Sequence, residues 1–320
     1  MSSFLCRTCG STLKSNSYVV KEMMFSSREE FAYDQCGACD SIQIAKLLDN
    51  SVLSRHYPRD YYSFNPDFSK SKWITYALKA VIMTARDRGV FGRSFIGQLI
   101  ERVKPEPSPV RVIHQAGVRR DQKILDVGCG AGALLNRLAR LGFHNMSGVD
   151  PFLSGDAVTS QGVQLRNRHL AELEGQFDVI IFKHSFEHLP DPQGELRTAR
   201  QKLRPNGLCL IQMPTPSSQA WEDYGTDWAQ WDAPRHLTLM SRKGMSILAV
   251  NCGFQLRRIT DISQGWSLMT SERYRSEVGL RGAKDARRFS RSEKAAFRRK
   301  AIKANEAGRG DSVSCVLVAQ

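Results

Sequence analysis

The segment Ile124-Leu125-Asp126-Val127-Gly128-Cys129-Gly130-Ala131-Gly132 constrains this chain more than any other stretch. Ile124–Val127 reads as a short strand. Three glycines at alternate positions then permit a tight turn and a close approach of backbone to a ligand. Ala133–Leu141 is predicted as a helix, with Gly142 placed to end it. The alternation continues downstream. Met146–Val149, Val163–Leu165 and Phe177–Phe182 are predicted strands, the last continuously apolar as a buried parallel strand should be. Asp191 and Pro192 read as the N-cap and first residue of a helix reaching Leu203. Pro205-Asn206-Gly207 reads as a turn into a strand at Leu208–Met213. Ser241 caps a helix ending at Gly253, and Phe254–Ile259 and Val313–Val318 close the series. This pattern predicts an α/β fold, a Rossmann-like doubly wound sheet of seven strands with the last antiparallel.

The loop also limits its ligand. A helix N-terminus presents unpaired N–H groups that favour a carboxylate. Asp150 ends the second strand, twenty residues after Gly130, where an acid can accept hydrogen bonds from both ribose hydroxyls. A dinucleotide site would read G-x-G-x-x-G, whereas this loop reads D-x-G-x-G-x-G. Asp126 ahead of the glycines repels pyrophosphate and suits the ammonium of a bound amino acid. The loop therefore points to S-adenosylmethionine rather than NAD.

The ordered motifs Ile124–Gly132, Gly148-Val149-Asp150-Pro151, Phe177–Pro192 and Leu203–Pro214 resemble those of the class I S-adenosylmethionine-dependent methyltransferases. The resemblance runs through residues 110–262 and closes with the strand at 311–320. It implies that Asp126, Gly128, Cys129, Gly130 and Gly132 surround the methionine end. It places the ribose at Asp150 and Pro151, and the sulfonium at His184. Many relatives carry an acid after the third strand for the adenine amino group. Here His169 occupies roughly that place, and backbone contacts at Leu170 are the substitute. Glu187-His188-Leu189-Pro190-Asp191-Pro192 resembles the E-H-x-x-D-P signature of a large group of small-molecule and glycan methyltransferases. Pro234-Arg235-His236-Leu237 recurs in the same group.

Methyl transfer is an in-line displacement at a positively charged sulfur, so the protein chiefly aligns donor and acceptor and excludes water. A hydroxyl acceptor benefits from a base near neutral pH, and histidine suits that task. His236 is the favoured base. Glu187 and His188 either order the loop or act directly. Trp221, Tyr224, Trp228 and Trp231 form an acceptor lid or a packed flap. His56, His114 and His144 have no supporting context.

Cys6-Arg7-Thr8-Cys9 and Cys36-Gly37-Ala38-Cys39 are two C-x-x-C pairs. Four thiolates at this spacing suit a closed, structural zinc site. Cys209, Cys252 and Cys315 sit in apolar contexts and are expected in the core. The implied organisation is a zinc-binding domain at 1–45, a linker and helical region at 46–109, and a methyltransferase domain at 110–320 carrying a basic helical insertion at about 265–308. Trp73, Ala77, Ala80, Val81, Phe95 and Leu99 recur at helical spacing, with Gly89 and Gly92 splitting two helices and Pro105, Pro107 and Pro109 ending the run.

The net charge of +14 is concentrated on two flanks. Residues 51–122 carry 13 basic and 6 acidic side chains, and residues 263–320 the same, around a middle with 15 and 14. Such flanks face nucleic acid, an anionic membrane surface or phosphorylated substrates, or are merely solvated. No apolar run reaches the length of a transmembrane helix and no signal core opens the chain, so it is read as cytoplasmic. The leading expectation is methylation of a hydroxyl on a small molecule, sugar or glycan, in polysaccharide or natural-product assembly. The alternatives are an RNA methyltransferase and a non-catalytic cofactor-binding scaffold. Oligomeric state is left open.

Overall fold

The computed structural model describes residues 4–57, 73–103, 108–280 and 288–320. In chain order the N-terminal part contains β1 (Lys14–Lys21), β2 (Glu30–Cys36), β3 (Ile42–Ile44), α1 (Asn50–Ser54), α2 (Trp73–Val90), α3 (Phe95–Val103) and α4 (Pro109–Gln115). The middle contains β4 (Ile124–Val127), α5 (Ala133–Ala139), β5 (Met146–Val149), β6 (Ala157–Val158), β7 (Gln164–Arg166), β8 (Phe177–Lys183), α6 (Pro192–Lys202) and β9 (Leu203–Pro214). There follow α7 (Gln219–Tyr224), β10 (Thr238–Leu239), α8 (Arg242–Asn251), β11 (Phe254–Asp261), α9 (Gly265–Arg275), α10 (Arg291–Glu306) and β12 (Ser312–Ala319). Residues 58–72 of the predicted linker and helical region at 46–109, the prolines at 105 and 107, and residues 281–287 of the basic insertion lie outside the described residues.

The chain forms two compact units. One comprises Pro58–Lys183 and Gln201–Leu210, the other Met1–Tyr57, His184–Arg200 and Ile211–Gln320. Strand β9 contributes residues to each. In the first of these units the strands run β9-β8-β4-β5-β7-β6. β4 pairs in parallel with β5 and β8, and β5 with β7. The pattern of β4 and β8 dictates this: all four residues of β4 are buried, and Val179–Phe182 form a continuous apolar run. Cys129, Leu135, Val163 and Leu165 pack into one cluster beneath the glycine loop. Gly89 and Gly97 let α2 and α3 touch at backbone distance, because a Cβ on Gly97 would lie 1.9 Å from the Ala85 carbonyl oxygen.

In the other unit, β1-β2-β3-β10 form an antiparallel sheet, and β11-β12-β9 form a second strand run. Alternation along β2 sends Phe31 and Tyr33 inward, and Ile42 and Ile44 of β3 join them. Their partners are Trp228, Trp231, Leu237 and Leu239. Residues 1–57 are thus continuous with the C-terminal core of this unit, since the edge of their sheet is completed by Thr238 and Leu239. Burying two indoles and the facing aliphatic side chains contributes several kcal/mol, at about 25 cal/mol per Å².

Two sequence expectations need correction. The strand run holds eight strands among the described residues, not seven. The addition is β6, two exposed residues antiparallel to β7, too short to leave a periodic signal. Pro205-Asn206-Gly207 is not a turn ahead of a strand: β9 begins at Leu203 and continues through it, with Asn206 left-handed at φ 60°. Asn tolerates that conformation better than other side chains. The predicted basic helical insertion at about 265–308 contains α9 and α10. α9 buries Ser267, Leu268, Thr270, Ser271 and Tyr274, while α10 is mostly exposed and opens with a capping box at Ser290 and Glu293. The remaining strands fall within two residues of their predicted ends, and Cys209, Cys252 and Cys315 are buried.

Candidate functional site

The cofactor motifs converge at one sheet edge. The parallel register sets Asp126 opposite Gly148 and Val127 opposite Val149, so the loop after β4 and Asp150 after β5 leave the sheet side by side. Gly128, Gly130 and Gly132 have φ of 72°, 49° and 73°, a region that penalises any other residue type. The Gly128 and Cys129 N–H groups both donate to the Val149 carbonyl, at 2.8 and 3.2 Å. The Asp150 carboxylate accepts from the Gly130 N–H at 3.0 Å and from the Phe152 N–H at 2.9 Å. That locks the acid against the loop it serves, with Pro151 opening the turn between them. Cys129 is a filler rather than a nucleophile. Its thiol is buried, burial pushes its pKa up, and a Cβ on Gly148 would fall 2.6 Å from its sulfur.

Asp126 is buried at 2% exposure, and one of its carboxylate oxygens has no hydrogen-bond partner. Burial pushes its pKa up to about 7, with Asp150 adding to the shift and Lys183 opposing it. A buried carboxylate lacking a partner is costly on its own and complementary to a cation. The residues present therefore fit the ammonium end of S-adenosylmethionine. His169 is exposed and its backbone N–H donates to Glu172 at 2.6 Å, opening a single 3₁₀ turn in which Leu170 is buried.

The other predicted site residues lie in the second unit. His184 follows β8 with φ 52°, and its Nδ1 stands 3.5 Å from the Glu187 carboxylate. Glu187 is buried, and its other oxygen has no partner. Burial alone would raise its pKa. The hydrogen bond from His184 and the charges of His188 and His236 outweigh that and hold it at about 2. The rings of His188 and His236 meet edge to face with centroids 4.8 Å apart. His188 Nδ1 lies 2.8 Å from the Arg235 carbonyl, and His236 Nδ1 lies 2.8 Å from the Gln230 carbonyl. Carbonyls only accept, so each Nδ1 carries the proton and each Nε2 keeps its lone pair when the ring is neutral. His236 Nε2 is 3.9 Å from Glu187 and 3.8 Å from Asp232. Burial lowers the His188 pKa first of all, and the neighbouring His236 lowers it further. The two distant strings of the sequence, at 187–192 and 234–237, are thus one histidine centre.

The aromatic segment resolves as a packed flap. Trp228 and Trp231 are 0% and 2% exposed, and Trp221 and Trp231 pack against Tyr18. His56, given no context by the sequence, is buried against Phe31. Sequence reasoning also missed the ion pairs that hold this region. Arg235 is fully buried and binds Asp232 at 2.7 Å and Glu22 at 2.9 Å. The Asp232–Arg235 spacing was visible, but nothing in the sequence ties either to Glu22.

The four cysteines Cys6, Cys9, Cys36 and Cys39 bring their sulfurs within 4.8 Å of one another. Cys6 and Cys39 are 3.7 Å apart, and Cys9 and Cys36 are 3.6 Å apart. Tetrahedral zinc with bonds of about 2.3 Å separates its sulfurs by about 3.8 Å, so the donor set fits that ion.

Comparison with known proteins gives the family. A family model described as "Methyltransferase domain" matches residues 94–259, more than half of the chain. The chain belongs to this methyltransferase family, and its domain is of the S-adenosylmethionine-dependent class. Curated relatives include the ubiquinone biosynthesis O-methyltransferases of Escherichia fergusonii and Cronobacter sakazakii, each 30% identical over 121 residues. The match covers 34% of this chain and 50% and 49% of theirs, so the chain spans about half the length of the curated relatives it matches. Among solved structures, an S-adenosylmethionine-dependent methyltransferase from Archaeoglobus fulgidus is similar at 16% identity and TM-score 0.42, covering 70% of this chain and 100% of that one. Another from Mesorhizobium loti is similar at 15% identity and TM-score 0.42, with 65% of this chain and 96% of that one covered.

Proposed function

We propose that the protein methylates a hydroxyl of a small molecule or sugar, within the E-H-x-x-D-P and P-R-H-L group of methyltransferases. The observation that carries this reading is the buried Asp126, with an unpartnered carboxylate oxygen, at the glycine loop beside Asp150; the buried histidine centre of the other unit supplies a candidate base. When bound, S-adenosylmethionine supplies a methyl group on a positively charged sulfur. Asp126 pairs with its ammonium, the loop Gly128–Gly132 accommodates its methionine end, and Asp150 receives its ribose hydroxyls. His236 Nε2 takes the acceptor proton. Glu187 stabilises the imidazolium that forms, and His188 and His184 complete the charge balance around Glu187. Four thiolates leave no open position on a zinc ion, so Cys6, Cys9, Cys36 and Cys39 serve as a structural site.

The test is calorimetric titration of the purified protein with S-adenosylhomocysteine, wild type against Asp150→Ala. Binding by wild type that weakens about tenfold or more in the variant is the expected result, corresponding to loss of about 1.4 kcal/mol. A folded wild type that binds nothing would sink the reading and leave a scaffold role. An acceptor screen beginning with nucleotide sugars then follows. The basic flanks keep an RNA acceptor as the second reading, and retention of RNA that falls steeply with salt would favour it.

A further inference from the structure

Residues 1–57 do more than carry four cysteines. They grip both chain segments that bear the histidine centre. Arg7 donates to the Ile44 carbonyl at 2.6 Å and to the Leu237 carbonyl at 3.2 Å, while its own carbonyl accepts from Gln193 at 3.2 Å. The Ile44 N–H donates to the Leu237 carbonyl at 3.0 Å. The Tyr33 hydroxyl donates to the His236 carbonyl at 3.0 Å, and the Tyr57 hydroxyl lies 3.1 Å from His188 Nδ1.

The most demanding contact is that of Glu22. It directly follows β1 and is 0% exposed. Its carboxylate is organised by its own turn, accepting from the Phe25 N–H at 3.0 Å and the Ser27 N–H at 3.1 Å. It then pairs with Arg235, whose side chain is also 0% exposed. Arg235 in turn donates to both oxygens of Asp232, at 3.0 and 2.7 Å, and to the His56 carbonyl at 3.3 Å. The Arg235 main-chain carbonyl is the group that receives His188 Nδ1, and its neighbour is His236. A buried guanidinium needs two carboxylates here because Asp232 alone must also face His236 Nε2. Removing the charge of Glu22 would leave Arg235 drawing on Asp232 alone, and the histidines would feel a more positive surrounding.

We propose that Glu22 is a positioning residue for methyl transfer, acting through Arg235 to fix the His188–His236 pair and its charge, so that the cysteine-bearing segment is part of the acceptor-side machinery. The proposal rests on the histidine centre being that machinery. The groups facing the two rings are Glu187 and His184 from the segment after β8, and Asp232 and Arg235 from the segment before β10. Tyr33, Tyr57 and, beyond Arg235, Glu22 complete them from residues 1–57.

The experiment follows the His188 and His236 ring resonances against pH by NMR in the full chain. The two signals are assigned from their loss in His188→Asn and His236→Asn. Wild type is compared with Glu22→Gln and with the charge-balanced double variant Glu22→Gln, Arg235→Gln, and S-adenosylhomocysteine binding is measured on each. In Glu22→Gln the His188 midpoint should fall by about 0.5 or more in pH, since a neighbouring positive charge is no longer offset. In the double variant it should rise above wild type, because Asp232, which raises it, loses its counter-charge. Cofactor affinity should stay within about twofold in both, because the cradle residues belong to the other unit. A His188 midpoint within about 0.1 of wild type in the double variant would overturn the proposal, even if the single variant does not fold. Failure of wild type itself to bind S-adenosylhomocysteine would instead overturn the methyltransferase reading on which it rests.

Discussion

Asp126 illustrates what a single buried carboxylate imposes. Its pKa is raised from an ordinary value near 3.8 to about 7 by burial. Between those values the folded protein holds a proton that the unfolded chain has released. Its contribution to stability therefore declines as pH rises from about 4 to about 7 and is level above that. Ligand binding has the opposite sense. An ammonium pairs with the ionised form, so below about pH 7 a proton must first leave. The affinity for S-adenosylhomocysteine should weaken by up to about tenfold per pH unit below about 7 and plateau above it. Asp126→Asn should bind more weakly and lose that slope. A slope unchanged in the variant would remove Asp126 from the ammonium site. Gly148 belongs to the same scale. Gly148→Ala places a methyl 2.6 Å from Cys129 Sγ and 2.8 Å from Leu135, and should cost about 1–3 kcal/mol in denaturant unfolding with weaker cofactor binding. No change in either would mean that the loop shifts without penalty. Asp126, the glycines and Asp150 were all legible in the sequence, because each is fixed by its position relative to a strand end. Glu22 and Tyr33 were not, because their partners lie 213 and 203 residues away in the chain.

At the scale of elements, the cysteine unit depends on the helix that backs it. Ser241 caps α8 by accepting from the Gly244 N–H at 2.8 Å, and its hydroxyl also donates to the Cys39 carbonyl. Ile247 of the same helix packs on the cysteine cluster. Ser241→Ala should therefore cost more than an isolated cap, about 1–2 kcal/mol, read from the denaturation midpoint at constant slope. Elemental analysis should find about one zinc per chain, and Cys36→Ser should lose it and unfold at a lower temperature. Full stability without bound metal would refute the structural zinc. The helix starts were readable from Ser241 and from Asp191 with Pro192, since caps are local chemistry. The strand β6 and the path of β9 through Pro205–Gly207 were not, because short or irregular pairing is decided by the neighbouring strand. No helix among the described residues is long and apolar enough to cross a membrane.

At the scale of the molecule, residues 1–57 and the segment at 211–320 share one core, in which Tyr33, Ile42 and Ile44 cover Trp228, Trp231 and Leu239. A chain lacking residues 1–57 should expose those indoles, bind a hydrophobic dye and lose its cooperative transition. Cooperative unfolding at the wild-type temperature would mean that the two segments are independent. The sequence by itself determined the alternation of strands and helices, the cofactor loop with its acid, the four cysteines and the two histidine strings. All of these follow from periodicity, glycine placement or ligand spacing within short windows. Only the tertiary structure decided that the tryptophans are packed rather than a lid. Only it joined His188 to His236, and only it closed a buried ion pair across the chain from Glu22 to Arg235. Those outcomes depend on which surfaces exclude water together. That is a property of the folded core, and no short stretch of sequence records it.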